Sequence, residues 1–234
     1  SAVNMQLFGK TDDPRFFSEL KSILSEENPL PAIFRLAEFN LFQFLWPDLK
    51  PDINIDNRFK EILQQSYQSV TWFKLLYLEE KCDAWIVYLL AIMSRSSKVE
   101  LINFCKRFQL PPKLENRLLL EKEAIDRIVR YLTKKPQQAN SSIYEIFSEM
   151  SNEGMLTIMA VAKKSEVKKI VSLYITTLKG VQPDITGKDL KKMGYQAGPE
   201  FREMLTLLKH EKLNGNINNR EEEMEYLNTH FPLS

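Results

Sequence analysis

Residues 59–77 read FKEILQQSYQSVTWFKLLY. Phe59, Ile62, Leu63, Tyr67, Val70, Phe73, Leu76 and Tyr77 recur there at intervals of three and four, which places them on one face of a helix. The same spacing continues on both sides. Upstream, Asn28-Pro29 opens a helix over residues 30–39, and residues 41–46 stay apolar until Pro47 stops them. Further back, Asp12-Asp13-Pro14 carries a cap and a proline suited to a first turn, ahead of an apolar face of Phe16, Phe17, Leu20, Ile23 and Leu24. Downstream, helices are expected near residues 84–95, 98–108, 112–134, 142–151, 155–163 and 166–178, with breaks at Pro111-Pro112 and Lys135-Pro136. No repeat of fixed period connects them, so the pattern is an all-α chain and not a regular solenoid.

Composition narrows the class. Hydrophobic residues make up 44% of the 234 and charged residues 27%, as in a globular protein with a sizeable core, and a net charge of +1 supplies no overall field toward nucleic acid or membrane. The longest apolar run, residues 84–93, is about half the length a bilayer-spanning helix requires, so it reads as a buried core helix. Cys82 and Cys105 sit far apart in apolar surroundings and read as buried, reduced thiols of a cytoplasmic protein. Residues 1–11 lack the charged and apolar regions of a secretory signal and read as a tag or linker.

Several chemistries lack their residues. A phosphate-cradling or dinucleotide-binding loop needs glycines, and only seven occur, four of them at or after Gly187. His210 and His230 lack the paired Asp-His step of a metal phosphohydrolase, and no Ser or Cys nucleophile has a histidine partner legible in sequence. Asp12-Asp13 could be drawn as a metal pair, but helix capping is the better reading. No catalytic or metal-ligating residue is therefore assigned, and no cofactor is expected on this stretch.

What remains is positive charge near the C-terminal end. Residues 161–192 carry eight lysines against three acids, a net of +5, whereas residues 214–234 carry a net of −3. Such lysines form either a solvated face or a surface for phosphates. Glycine and proline return at residues 180–183, where a boundary is expected. Beyond it, Thr186 with Asp189 resembles a capping box, Gly194 ends a short helix, and Gly198-Pro199 opens a longer one. Gly187 and Gly198 would let a phosphate approach the backbone closely, although Glu200 would repel an anion. Asn214-Gly215-Asn216 is a turn, and Asn219 with Glu221, Glu222 and Glu223 starts a last helix with an acidic first turn.

Two stretches carry a family resemblance. The run Ile185-Thr186-Gly187-Lys188-Asp189-Leu190, then Gly194, Gly198-Pro199-Glu200-Phe201, Leu213-Asn214-Gly215-Asn216-Ile217 and Arg220-Glu221-Glu222 resembles the tail of bacterial tRNA nucleotidyltransferases of the poly(A) polymerase-like class. Arg15-Phe16-Phe17-Ser18-Glu19-Leu20, Ile23-Leu24, Asn28-Pro29 and residues 36–41 up to Trp46-Pro47 resemble the neck of the same family. Residues 51–180 match no motif. The family's catalytic head carries a Gly-Gly loop, an Asp-x-Asp metal pair and a Glu-Asp-x-x-Arg motif, none of which occurs in these residues.

The resemblance implies an all-α architecture of multi-helix neck and body followed by a small helical tail domain: neck 12–50, body 51–180, tail 181–234. It implies a tRNA- or RNA-binding portion of a template-independent nucleotidyltransferase, which adds CCA, CC, A or poly(A) at an RNA 3′ end. This stretch alone would be inactive, and Mg2+ with CTP or ATP would belong to the head. Expected partners are tRNA or other RNA and that head, with no DNA and no membrane. Lys188, Lys191, Lys192 and Arg202 are the first expected RNA contacts, and Lys163, Lys164, Lys168 and Lys169 the second. Gly187, Gly194, Gly198 and Pro199 would shape the tail. Arg15 and Glu19 match a neck element that supports the nucleotide pocket, although Pro14 stands where many members carry glutamate. The competing reading is a helical protein-interaction or regulatory module whose Phe, Leu and Trp faces dock a partner helix.

Overall fold

The computed structural model describes residues 14–39, 41, 56–196 and 198–232, with the side chains of Pro14 and Arg15 left aside. Among these residues there are twelve α-helices and no strand, as the periodicity required. They are α1 Pro14–Leu24, α2 Leu30–Glu38, α3 Asn57–Leu75, α4 Ala84–Ile92, α5 Lys98–Arg107 and α6 Pro112–Lys134. Then come α7 Asn140–Phe147, α8 Asn152–Val161, α9 Ser165–Thr176, α10 Gly187–Lys192, α11 Pro199–Asn214 and α12 Arg220–His230. Met93–Arg95 and Leu178–Gly180 form single 3-10 turns. The expected tag or linker, the Asp12-Asp13 cap and the Trp46-Pro47 stop lie outside the described residues. Among the described residues no helix is long and apolar enough to cross a membrane.

Local chemistry explains the helix starts. Asp56 Oδ1 accepts the Phe59 amide at 2.7 Å and opens α3. At α5, Ser97 and Glu100 exchange bonds reciprocally, the Glu100 amide to Ser97 Oγ at 3.2 Å and the Ser97 amide to Glu100 Oε2 at 2.6 Å. Asn219 Oδ1 takes the Glu222 amide at 3.0 Å, as its cap reading anticipated, whereas at α2 the cap position falls on Pro29 and Asn28, one residue before it, takes the Leu30 amide at 3.3 Å. Several boundaries differ: α3 ends at Leu75, so Leu76 and Tyr77 fall outside it and Tyr77, at a φ of 50°, is exposed, and α8 runs Asn152–Val161 where 155–163 was expected. The helix expected over 142–151 ends at Phe147, because Ser151 starts the next one by accepting the Gly154 amide at 3.0 Å.

The helices divide into two compact units. The first comprises Ser1–Lys134 with Met150–Lys168. At its centre α4 is buried on every side, from Ile86 through Ile92, and it packs on α3, α8 and α1. This is the core helix expected from the apolar run. Small residues lie buried on the contacting helices, Ser66 and Ser69 on α3 and Gly154, Thr157 and Ala160 on α8. Aromatic side chains of α1 join it: Phe17 meets Trp85 and Phe104 edge-on at 6.1 and 6.2 Å, and Phe16 stacks on Phe108 at 5.8 Å.

The second unit comprises Lys135–Glu149 with Lys169–Ser234. Residues 135–149 and 169–180, inside the expected body segment, thus group with the tail. Here α7 lies on α11, where the Asn140 amide side chain donates to the Leu213 carbonyl at 2.9 Å and the Ser141 amide to Asn214 Oδ1 at 3.0 Å. Phe147, fully buried, packs on Tyr174 with ring centres 5.4 Å apart. Ile185, Leu190, Met204, Leu208, Ile217 and Leu227 form the apolar centre shared by α10, α11 and α12.

Both cysteines are free; Cys105 is buried as expected, whereas Cys82 is only half-buried. Burial, helped at Cys82 by the carboxylates of Glu153 and Asp83, pushes each thiol up to about 12. Since the thiolate is the reactive form, iodoacetamide at pH 8 should leave both unmodified in the folded chain and label both after denaturation, as mass spectrometry would show.

Candidate nucleic-acid interface

The tail site is built from the segment entering α10. Thr186 donates to Asp189 Oδ2 twice, from its amide at 2.9 Å and its hydroxyl at 2.6 Å. Arg220, from α12, grips the same place: Nη2 lies 2.9 Å from Asp189 Oδ1 and Nη1 donates to the Asp184 carbonyl at 3.0 Å. The Thr186 hydroxyl and then the Arg220 guanidinium hold the Asp189 carboxyl well below the usual carboxylate range. A carboxyl whose pKa is lowered on folding contributes stability that is present above its unfolded value, about 3.9, and is lost as pH falls below it. Asp189→Asn should therefore melt below the parent chain at pH 7, and the gap should close as the pH of the melts drops toward about 2.

A buried ion pair holds the segment from beneath. Glu223 is fully buried, and its carboxylate accepts the Asp184 amide at 2.9 Å, the Ile185 amide at 2.7 Å and Lys212 Nζ at 3.1 Å. Lys212 also reaches Asp184 Oδ2 at 2.6 Å. Burial alone would lower the Lys212 pKa, but its bonds to Asp184 and Glu223 outweigh that and raise it. The sequence presented Glu223 only as one acid of a first turn, so its role as a clamp went unread.

Above this frame lies an open hollow of about 670 Å³ walled by Thr186, Gly187, Lys188, Lys191, Gly198 and Phe201. Two expected contact residues, Lys188 and Lys191, thus meet the two expected glycines. Lys192 and Arg202 are exposed on α10 and α11 and lie outside the wall. None of these four cations makes a hydrogen bond or ion pair among the described residues. A Cβ at Gly198 would meet nothing within 4 Å, and one at Gly187 would lie 3.8 Å from Phe201 Cδ2. The fold requires glycine at neither position, and what the missing side chains leave is open space in the hollow. Gly194 is different: its φ of 100° ends α10 in a conformation that favours glycine. Pro199 is the first residue of α11, and Glu200 beside it is exposed but outside the hollow.

The second basic group divides by partner. Lys164 Nζ donates to the Thr133 carbonyl at 2.8 Å, near the C-terminus of α6. Lys168 donates to Gln65 Oε1 at 2.7 Å, and burial lowers its pKa. Lys163 and Lys169 are exposed and make no hydrogen bond or ion pair among the described residues. Glu19 is exposed on α1, and the side chain of Arg15 lies outside the described residues. His210, half-buried, meets Glu145 at 2.8 Å, and His230 stacks on Tyr226.

Solved structures share this all-α fold. One is the Thermotoga maritima CCA-adding enzyme complexed with tRNA, with a TM-score of 0.74 at 21% identity, covering 92% of this chain and 51% of that one. Another is a CCA-adding enzyme in complex with CTP, with a TM-score of 0.71 at 21% identity, covering 94% and 51%. No family model matches the sequence. The A-adding tRNA nucleotidyltransferase of Geobacter sulfurreducens is 34% identical over 228 residues, which are 96% of this chain and 26% of that protein. That of Halalkalibacterium halodurans is 23% identical over 222 residues, 93% of this chain and 46% of its own length. The chain belongs to the tRNA nucleotidyltransferase family and spans about a quarter to a half of the length of these curated relatives.

Proposed function

We propose that these helices hold tRNA, or another RNA offering the same duplex shape, for a template-independent nucleotidyltransferase that extends the RNA 3′ end. The observation that carries this is the tail hollow, where Lys188 and Lys191 face open space without carboxylate partners among the described residues. Lys192 and Arg202 are exposed nearby in sequence. Unpaired cations beside Gly187 and Gly198 suit phosphates, so recognition runs through backbone and duplex shape with little reading of bases. The relatives support it, being named A-adding tRNA nucleotidyltransferases, and one solved neighbour is complexed with tRNA.

The described residues hold no group of three His, Cys, Asp or Glu able to bind a metal ion. On this reading Mg2+ and CTP or ATP belong with a catalytic head that these helices accompany, and Glu19, exposed on α1, belongs to the neck element that supports its nucleotide pocket. The rival reading, a docking module for a partner helix, draws less support. Its Phe17, Trp85, Phe104 and Phe108 faces are engaged with one another inside the first unit.

The test is filter binding of tRNA to residues 1–234 across a salt series. The affinity should fall steeply with salt, and Lys188→Gln/Lys191→Gln/Lys192→Gln should weaken it and flatten the log–log slope by about three, one for each phosphate contact. No nucleotide should be added from labelled CTP or ATP. Salt-indifferent binding, or incorporation of nucleotide by these residues alone, would overturn the proposal.

A further inference from the structure

The first unit holds another basic concavity, distant in sequence from the tail lysines. Arg58, Arg95, Lys122, Arg130 and Lys163 line a hollow of about 540 Å³ formed by α3, α4 with its 3-10 turn, α6 and the end of α8. Among its lining residues the one acid is Asp126.

Pairing decides how much of that charge is left over. Arg58 Nη1 lies 2.8 Å from Glu61 Oε2, and Nη2 donates to the Val161 carbonyl at 2.6 Å. Arg95 forks onto Asp56 at 2.7 and 2.8 Å. Lys122, only 7% exposed, is bonded to Asp126. Those three cations are each matched by a carboxylate.

Arg130 and Lys163 are not. Arg130 donates Nε to the neutral Asp126 carbonyl at 3.1 Å, and no carboxylate meets its guanidinium among the described residues. Lys163 makes no hydrogen bond or ion pair there. Two surplus positive charges complement a group that spreads negative charge over several oxygens. The three matched pairs lie within the walls, and the surplus is left to Arg130 and Lys163.

We infer that this hollow seats a backbone phosphate of the RNA, with Arg130 and Lys163 as its charged contacts. The inference rests on the tRNA-holding reading and adds to it a contact in the body, away from the tail. Arg130 was no part of the sequence expectation.

The experiment is tRNA filter binding over a salt series with the full chain carrying Arg130→Gln/Lys163→Gln. Each lost charged contact should weaken binding by about tenfold, and the pair should flatten the log–log salt slope by about two. The charge-keeping Arg130→Lys/Lys163→Arg should stay within about threefold of the parent chain, with thermal unfolding of both variants as the control for folding. If the glutamine pair binds tRNA with unchanged affinity and slope while the parent chain remains salt-sensitive, the inference is overturned and the tRNA-holding reading stands. If the parent chain itself shows no salt-sensitive binding, both fall. Loss of binding to polyglutamate with tRNA binding intact would assign the hollow to an acidic protein segment and also overturn it.

Discussion

Glu223→Ala should destabilise the second unit by about 3–5 kcal/mol, the range for removing one partner of a buried pair. The carboxylate has no exposure to water, and three donors converge on it: the amides of Asp184 and Ile185 and the ammonium of Lys212. Alanine leaves both amides unmatched and a cavity behind. Lys212 keeps Asp184, which lies at the surface, so the loss there is partial. Glu223→Gln keeps the shape and one acceptor oxygen but turns a donor toward one of the amides, so it should cost less than alanine, about 1–3 kcal/mol. Urea unfolding gives the totals, and hydrogen exchange at Ile185 and Leu190 locates them. A loss below about 1 kcal/mol for alanine would mean that the segment entering α10 is held mainly by its apolar packing.

Glu223 also shows where sequence reading stops. The helix within residues 59–77 was legible because the signal lies within the segment, although it ends at Leu75 and leaves Tyr77 exposed, and the capping at Thr186 and Asn219 was legible for the same reason: each partner is three residues away. Glu223 was visible only as part of an acidic first turn, since the amides it serves lie 38 and 39 residues earlier. Ser151 could close one helix or open the next, and its bond to the Gly154 amide chose the second.

The candidate site divides along the same line. Gly187, Lys188, Lys191 and Gly198 fall within a dozen residues, so local folding brings them to one hollow and their grouping could be read directly. The charge at residues 163–169 could not be apportioned in advance. Lys164 is taken by the Thr133 carbonyl 31 residues away and Lys168 by Gln65 at a separation of 103. Arg130 passed for one cation on a solvated helix face, and only the fold brings it into the hollow with Lys163.

Charge insertion separates two kinds of helix in the first unit. Ala91 in α4 has no exposure, and neighbours on both sides of that helix are buried too, so Ala91→Asp places a carboxylate where no face can turn it toward water. Its desolvation should cost more than about 4 kcal/mol, enough to threaten the folding of a marginally stable unit. Gln64→Asp, on the exposed face of α3, should cost no more than about 0.5 kcal/mol, because the periodicity that buries Leu63 leaves its neighbour in solvent. Near-UV circular dichroism and urea unfolding would show whether Ala91→Asp loses fixed packing while Gln64→Asp keeps it. If both variants stay folded with similar midpoints, α4 is reached by water and cannot be the centre on which α1, α3 and α8 assemble. Because α3 and α8 also supply walls of the basic hollow, tRNA binding should fail with the fold in Ala91→Asp and persist in Gln64→Asp, which ties the buried helix to the proposed contact through packing alone.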